Sequence, residues 1–200
     1  MYLNHNKKFL FIAVPKTGSI SISFSLGQTD IPEPDLYHQS IHSAIQKHPE
    51  CANYFKFGFV RNPWARILSL YNDFTLKRKY QYSALVKHDK PLFGEFANFE
   101  DFCLRVHTTN WINDIFLKSQ SELLGVTTDS SLIDYVGRFE NLQTDFDRIC
   151  YMIQCPELRL QSMNIGEYDN KRYKEHYTPA AIDAVARLYA TDIKVFKYDF

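Results

Sequence analysis

Several features that would assign this chain of 200 residues to a broad protein class are missing from it. No apolar run approaches the ~20 residues that cross a membrane. The first eight residues lack the layout of a secretory signal. Basic and acidic residues number 23 each, and this zero net charge argues against a broad nucleic-acid surface. We therefore expect a cytoplasmic protein with no transmembrane segment and no nucleic-acid partner.

Cysteine is also scarce, and its spacing excludes the common metal motifs. The four cysteines are Cys51, Cys103, Cys150 and Cys155. They form no Cys-x-x-Cys pair and have no histidine at ligand spacing, so we expect free thiols in a reducing compartment and no metal site. Repeats and Pro/Gly/Ser linkers are absent as well. With 45% apolar residues the chain can fill one core, which predicts a single domain over residues 1–200.

One apolar run ends in a short polar loop with the composition of an anion site. Residues 8–14 read as a strand buried on both faces, and the run stops at Pro15. Lys16, one glycine and three hydroxyl residues follow within the next six positions, 16–21. A strand that ends in such a turn and opens a helix points several backbone N–H groups at one place. The stretch therefore predicts a phosphate-type loop.

The loop does not have the order of a nucleotide triphosphatase loop. That motif requires a glycine, four residues and then Gly-Lys-Ser/Thr. Here Gly18 is the only glycine and Lys16 precedes it. An ATP-dependent kinase is therefore the less favoured alternative.

A second strand, predicted over residues 54–60, ends directly at Arg61. Asn62 suits the N-cap of a following helix and Pro63 its first position. The helix is predicted to bury Trp64, Ile67, Leu68, Tyr71 and Phe74. Arg66, Ser69 and Asp73 share another face of it, where Arg66 could serve either in a salt bridge or in a ligand contact.

The remaining elements complete an α/β pattern. Helices are predicted over residues 20–26, 95–107, 111–124 and 141–153 and after Thr178, with a short strand within 132–139. This order favours a parallel sheet with helices packed on it.

Four segments resemble the sulfotransferase family. Residues 15–19 resemble its 5′-phosphosulfate loop, and Arg61 with Ser69 eight residues later resembles its 3′-phosphate motif. Residues 135–142 and 177–200 are similar to the carbohydrate sulfotransferase branch. The resemblance implies a three-layer α/β/α fold with a P-loop-like parallel sheet. It also implies 3′-phosphoadenosine 5′-phosphosulfate (PAPS) as co-substrate, no metal, and sulfuryl transfer to a hydroxyl, expected on a carbohydrate.

The resemblance also assigns roles to residues. Lys16 is expected to stabilise the leaving oxygen, and Arg61 with Ser69 to bind the 3′-phosphate. The donor-binding set is Lys16, Thr17, Gly18, Ser19, Ile20, Ser21, Arg61, Ser69 and Arg172. Ile20 departs from the family, which usually has a hydroxyl residue there, so we expect weaker donor binding. Arg172 belongs to a basic loop that the resemblance places over the donor.

A general base is expected among the seven histidines. His42 lies between the two donor motifs, where related carbohydrate sulfotransferases have a catalytic histidine, and is the predicted base. His38 is the alternative, and a carboxylate such as Asp89 or Glu95 remains open. A non-catalytic nucleotide-binding module is the other alternative function.

Overall fold

The computed structural model describes residues 1–28, 37–73, 75, 96–161 and 170–200. Its strands form one four-stranded sheet in the order β1-β2-β3-β4. They are β1 (Tyr2–Asn4), β2 (Phe9–Ile12), β3 (Phe55–Val60) and β4 (Tyr135–Arg138). β1 is antiparallel to β2, whereas β2, β3 and β4 are mutually parallel. The predicted α/β class with a parallel sheet is confirmed.

The described α-helices alternate with these strands and follow them. They are α1 (Ser19–Ser25), α2 (Ile41–Lys47), α3 (Pro63–Asn72), α4 (Phe99–Arg105), α5 (Gln120–Leu124), α6 (Leu142–Met152), α7 (Pro179–Leu188) and α8 (Ala190–Phe196). Helix α3 begins as predicted, because the Asn62 side chain accepts hydrogen bonds from the backbone N–H groups of Trp64 and Ala65. This cap fixes the direction in which the chain leaves β3.

The sheet is buried on both faces, which gives three layers. Phe9 and Phe11 pack with residues of α1 and α6, such as Ile22 and Phe146. The alternate residues of β2, Leu10 and Ile12, pack on the other face with Ile41 of α2, Leu123 of α5 and Phe196 of α8. Side chains alternate across a strand, so a continuous apolar run fills both faces. A further cluster joins α3, α4 and α7 through Ile67, Phe102 and Val185.

The register brings three strand ends to one edge. Ile12 pairs with Gly58, and Val60 pairs with Arg138. Because β2, β3 and β4 run in the same direction, the segments that follow them emerge on the same side, where α/β proteins bind ligands. The loop after β2, Arg61 after β3 and Phe139 after β4 therefore meet there.

The helix predicted over residues 111–124 is wrong for most of its length. The chain forms a 3₁₀ turn over Asn110–Asn113 and then a non-helical stretch before α5. The carbonyl oxygens of Phe116 and Lys118 accept hydrogen bonds from Nη2 of Arg66 at 2.8 and 2.9 Å. Capture of these carbonyls by a buried side chain competes with the i→i+4 bonds of a helix. A tertiary contact has overridden a helical sequence pattern.

Other predicted elements have the expected type with shorter bounds. Helix α4 begins after Asn98, whose side chain accepts from the Asp101 N–H, and α7 begins after the Thr178 cap. The three-residue strand β1 was not predicted. Phe74, Asp89 and Glu95 lie outside the described residues. No helix among the residues that the structure describes is long and apolar enough to cross a membrane.

Candidate active site

The loop between β2 and α1 contains two residues with a left-handed backbone. Lys16 has φ 68° and Gly18 has φ 78°. Glycine adopts this conformation readily, whereas a residue with a Cβ pays a steric penalty of about 1–2 kcal/mol. The strained conformation at Lys16 must therefore be held by contacts from outside the loop.

Four consecutive carbonyl groups of the loop are held by side chains, three of which come from outside the loop. Ala13 O lies 2.6 Å from Nδ1 of His38, and Val14 O accepts from Oγ1 of Thr17 at 2.9 Å. Pro15 O accepts from Nε of Arg66 and Lys16 O from Nη1 of Arg61, each at 3.1 Å. In a trans peptide the C=O and the following N–H point in opposite directions. The N–H groups of Lys16 and Thr17 are therefore turned away from the two arginines.

The Lys16 side chain reaches across the loop to helix α3. Its Nζ lies 2.7 Å from Oδ2 of Asp73, and both side chains are largely buried. Asp73 follows the last residue of α3 and lies on the face that also carries Arg66 and Ser69. The helical spacing of Arg66, Ser69 and Asp73 predicted that they share a face. It could not predict that Lys16, 57 positions from Asp73, would pair with that aspartate. The pair holds the lysine amine at the strand-end edge of the sheet.

Arg61 connects β3 with the loop. Its side chain is 3% exposed, donates to Lys16 O and lies with Cζ 4.4 Å from the centroid of the Phe139 ring. Its backbone is fixed by Gln120, whose side chain accepts from Arg61 N and donates to Arg61 O, each at 2.8 Å. Sequence reasoning missed Gln120, because a single buried glutamine carries no motif.

Three cationic side chains, Lys16, Arg61 and Arg66, meet at this edge. Burial, with a smaller contribution from the charge of Arg66, lowers the pKa of Arg61 to about 10, although the charge of Glu140 opposes this shift. Arg61 therefore remains charged at neutral pH. Two buried arginines and Lys16 converge on one loop, and such a set favours an anionic ligand. Among the described residues no cluster of His, Cys, Asp and Glu could hold a metal ion.

The two candidate histidines occupy different environments. His42 lies exposed on α2. His38 is buried against the rings of Tyr37 and Phe116 and touches the loop at Ala13. Burial lowers the pKa of His38 to about 3, and the charges of Lys16 and Arg66 act in the same direction. A carbonyl oxygen only accepts, so neutral His38 carries its proton on Nδ1 and a lone pair on Nε2.

Comparison with known proteins identifies the family of this chain. The sequence model of the sulfotransferase family matches residues 1–199. The chain belongs to the sulfotransferase family. An uncharacterised protein of Archaeoglobus fulgidus is 28% identical over 119 residues, which cover 60% of this chain and 83% of the relative. No solved structure gives a significant match. The predicted membership of the sulfotransferase family is confirmed, and sulfuryl transfer is the activity of this family. The roles of the motif residues and the carbohydrate branch stay predictions.

The three hydroxyl residues of this sulfotransferase loop are all buried, but Thr17 lies within the loop and the two serines lie in α1. Thr17 is fully buried and its hydroxyl is engaged by Val14 O within the loop. Ser19 and Ser21 are buried in the first turn of α1. Ile20, where the family usually has a hydroxyl residue, is half-buried and packs against the core cluster on the α1 face of the sheet. The apolar side chain at this position thus serves packing, and its effect on donor affinity stays a prediction.

The two outermost residues of the predicted donor set are less enclosed. Ser69 is half-buried on α3, one turn before Asp73. Arg172 lies in the 3₁₀ segment Asn170–His176, is exposed, and pairs with Glu175 through Nε at 2.9 Å. A contact of Arg172 with the donor remains a prediction.

Gly18→Ala is expected to damage the loop of this sulfotransferase. A Cβ there would lie 3.2 Å from Cδ2 of Leu142, in a backbone conformation that disfavours it. We expect the free energy of unfolding to fall by about 1–2 kcal/mol. Urea denaturation measures this loss. Gly27→Ala is the matched control, since Gly27 is also left-handed but lies past the end of α1. Both variants should lose stability, and only Gly18→Ala should weaken nucleotide binding. Equal nucleotide affinity in the two variants would contradict the prediction that this loop binds the donor.

Proposed function

We propose that the protein transfers a sulfuryl group from PAPS to a hydroxyl group of a carbohydrate. The observation that carries this proposal is the hydrogen bond from Arg61 to Lys16 O, at 3.1 Å. It joins the residue of the 3′-phosphate motif to the phosphosulfate loop. A donor with anionic groups at both its 3′ and 5′ positions requires two neighbouring cationic sites, and Arg61 and the loop with Lys16 provide them.

The charges of the site fit this donor. Lys16, Arg61 and Arg66 lie around the loop; Asp73 pairs with Lys16, and the charge of Glu140 acts on Arg61. The phosphosulfate would accept hydrogen bonds from the N–H groups of the loop, and the 3′-phosphate would bind to the side chains of Arg61 and Ser69. Similarity of residues 135–142 and 177–200 to the carbohydrate branch supports a sugar acceptor.

The reaction is an in-line displacement at sulfur. The acceptor hydroxyl gives its proton to a base while its oxygen forms a bond to sulfur. The bond between sulfur and the bridging oxygen of the donor breaks, and its electron pair stays on that oxygen of adenosine 3′,5′-bisphosphate. Lys16 stabilises the charge that develops there, a role worth a few kcal/mol in a desolvated site.

A histidine takes the proton in this proposal. His42 remains the base predicted from the sequence. The contact of His38 with the loop supports His38 instead, because the Ala13 carbonyl fixes its tautomer and leaves Nε2 as the acceptor. Its low pKa makes His38 a weak base, so this assignment rests on its placement. The two histidines can be separated by substitution.

His38→Gln is expected to lower kcat by about 100-fold, the usual scale of general base catalysis. A glutamine amide can still donate to Ala13 O but is a poor base. Because the pKa of His38 in the free protein is about 3, kcat/KM should not fall as pH drops from 7.5 to 5.5. Parallel kcat measurements on His42→Gln decide the assignment. A 100-fold loss in that variant, with His38→Gln active, would restore His42 as the base.

Incubation with PAPS and a panel of sugars and simple alcohols tests the function. Mass spectrometry should find a sulfated sugar and an equal amount of adenosine 3′,5′-bisphosphate. Sulfation of non-sugar alcohols alone would keep the reaction and overturn the acceptor. Phosphoryl transfer from ATP with magnesium would identify a kinase, and tight nucleotide binding without turnover would identify a binding module.

A further inference from the structure

Arg66 is a buried cation directly behind the loop. Its side chain is 1% exposed, and no carboxylate pairs with it among the described residues. Nε donates to Pro15 O, and Nη2 donates to Phe116 O and Lys118 O. Nη1 finds no hydrogen-bond partner within the described part of the chain. A buried guanidinium without a counter-charge is costly, so a structural salt bridge does not account for its presence.

The contact with Pro15 places Arg66 on one side of Lys16, and Arg61 stands on the other. Arg66 holds the carbonyl of the peptide that joins Pro15 to Lys16. Arg61 holds the carbonyl of the peptide that joins Lys16 to Thr17. Peptide groups are planar, so the orientations of two successive planes determine φ and ψ of the residue between them. The left-handed backbone of Lys16 is thus fixed from both sides.

We propose that Arg66 is a positioning residue that, together with Arg61, sets the backbone of Lys16 and directs the adjoining N–H groups toward the bound anion. The proposal has two consequences. The loop is held ready in the protein without ligand. A positive charge that pairs with no carboxylate in the described part of the chain lies behind the anion, where it strengthens binding without touching the ligand. Tighter donor binding through Arg66 rests on the proposed function, whereas the anchoring of the loop does not.

Arg66 also contacts the segment before α5, which offers a matched control. Tyr189 donates its hydroxyl to Leu117 O at 2.9 Å, between the two carbonyls that Nη2 of Arg66 holds. The Tyr189 ring also lies 5.5 Å from Cζ of Arg66. Tyr189→Phe keeps this ring and removes a buried hydroxyl from the same segment, while Nε of Arg66 can still donate to Pro15 O. A residue that only supports this segment would behave like Tyr189.

Two variants of Arg66 separate charge from geometry. Arg66→Lys keeps the positive charge, and Arg66→Gln keeps a planar N–H donor; neither can hold Pro15 and the 116–118 segment together. Hydrogen–deuterium exchange in the protein without ligand should rise about tenfold in peptides covering residues 13–19 in both variants. In Tyr189→Phe the rise should be confined to residues 116–118. This comparison needs no nucleotide.

Calorimetry with adenosine 3′,5′-bisphosphate gives the second readout. We expect about tenfold weaker binding in Arg66→Lys, because this variant loses a charge-assisted hydrogen bond to the loop. The loss should be larger in Arg66→Gln, because this variant also loses the positive charge. Tyr189→Phe should bind within twofold of the unaltered protein. Unchanged exchange over residues 13–19, or global unfolding of both Arg66 variants, would overturn the positioning role. If the unaltered protein did not bind this nucleotide, the proposed function would fail while the exchange experiment still decided the role of Arg66.

Discussion

Lys16→Ala is expected to reduce kcat for sulfuryl transfer by at least about 100-fold. The amine is the only group of the loop that can place a full positive charge on the departing oxygen. Asp73 holds it at the strand-end edge, 2.7 Å from its carboxylate. Binding of adenosine 3′,5′-bisphosphate should weaken much less, by about tenfold or less, because backbone N–H groups and Arg61 remain. Single-turnover kinetics and calorimetry measure the two effects separately.

Lys56→Ala is the control for this experiment. Lys56 is also largely buried and pairs with an aspartate, since its Nζ lies 3.2 Å from Oδ2 of Asp134. It lies at the start of β3, at the opposite end of the strand from Arg61. Its removal breaks a longer ion pair, with a more exposed aspartate, that does not touch the loop, so kcat should stay within about twofold. Full activity of Lys16→Ala would remove the lysine from the chemistry.

Arg61→Gln is expected to abolish the preference for a 3′-phosphate. A bidentate arginine–phosphate contact contributes enough that its loss should weaken binding of adenosine 3′,5′-bisphosphate by about 100-fold. Adenosine 5′-phosphate lacks the 3′ group, and its binding should fall only modestly, through the lost contact with Lys16 O. The ratio of the two dissociation constants is the measurement that isolates the 3′-phosphate.

Arg138→Gln is the matched control for Arg61. Arg138 also ends a strand, lies with Cζ 4.6 Å from the ring centroid of Tyr198, and donates to the carbonyl of Phe196. Its contacts lead to the C-terminal segment and not to the loop. The preference for a 3′-phosphate should survive in Arg138→Gln. Retention of that preference in Arg61→Gln would refute a two-site donor model.

The sequence predicted the parts of the site that depend on local order. The loop after β2 and Arg61 after β3 follow from apolar runs that stop at a proline and an arginine. The start of α3 follows from Asn62 and Pro63, whose capping geometry is local. Parallel strands then place both motifs at one edge, so their proximity also follows.

The contacts that complete the site could not be predicted in this way. Helical periodicity predicted that Arg66, Ser69 and Asp73 share a face, but it does not predict which residues that face contacts. Arg66 meets Pro15 and Asp73 meets Lys16 across more than 50 positions. The same tertiary contact of Arg66 with residues 116 and 118 interrupts the helix that the pattern there predicts. The burial of His38 against Ala13, 25 positions away, is set by packing of a similar kind.

Calorimetric titration of the unaltered protein with adenosine 3′,5′-bisphosphate, compared with ATP in the presence of magnesium, tests the central claim most directly. The joined sites at Lys16 and Arg61 predict clear binding of the 3′,5′-bisphosphate without any metal. They also predict at least about tenfold weaker binding of ATP with magnesium, because ATP has no 3′-phosphate for Arg61. Equal or tighter binding of ATP with magnesium would contradict the account.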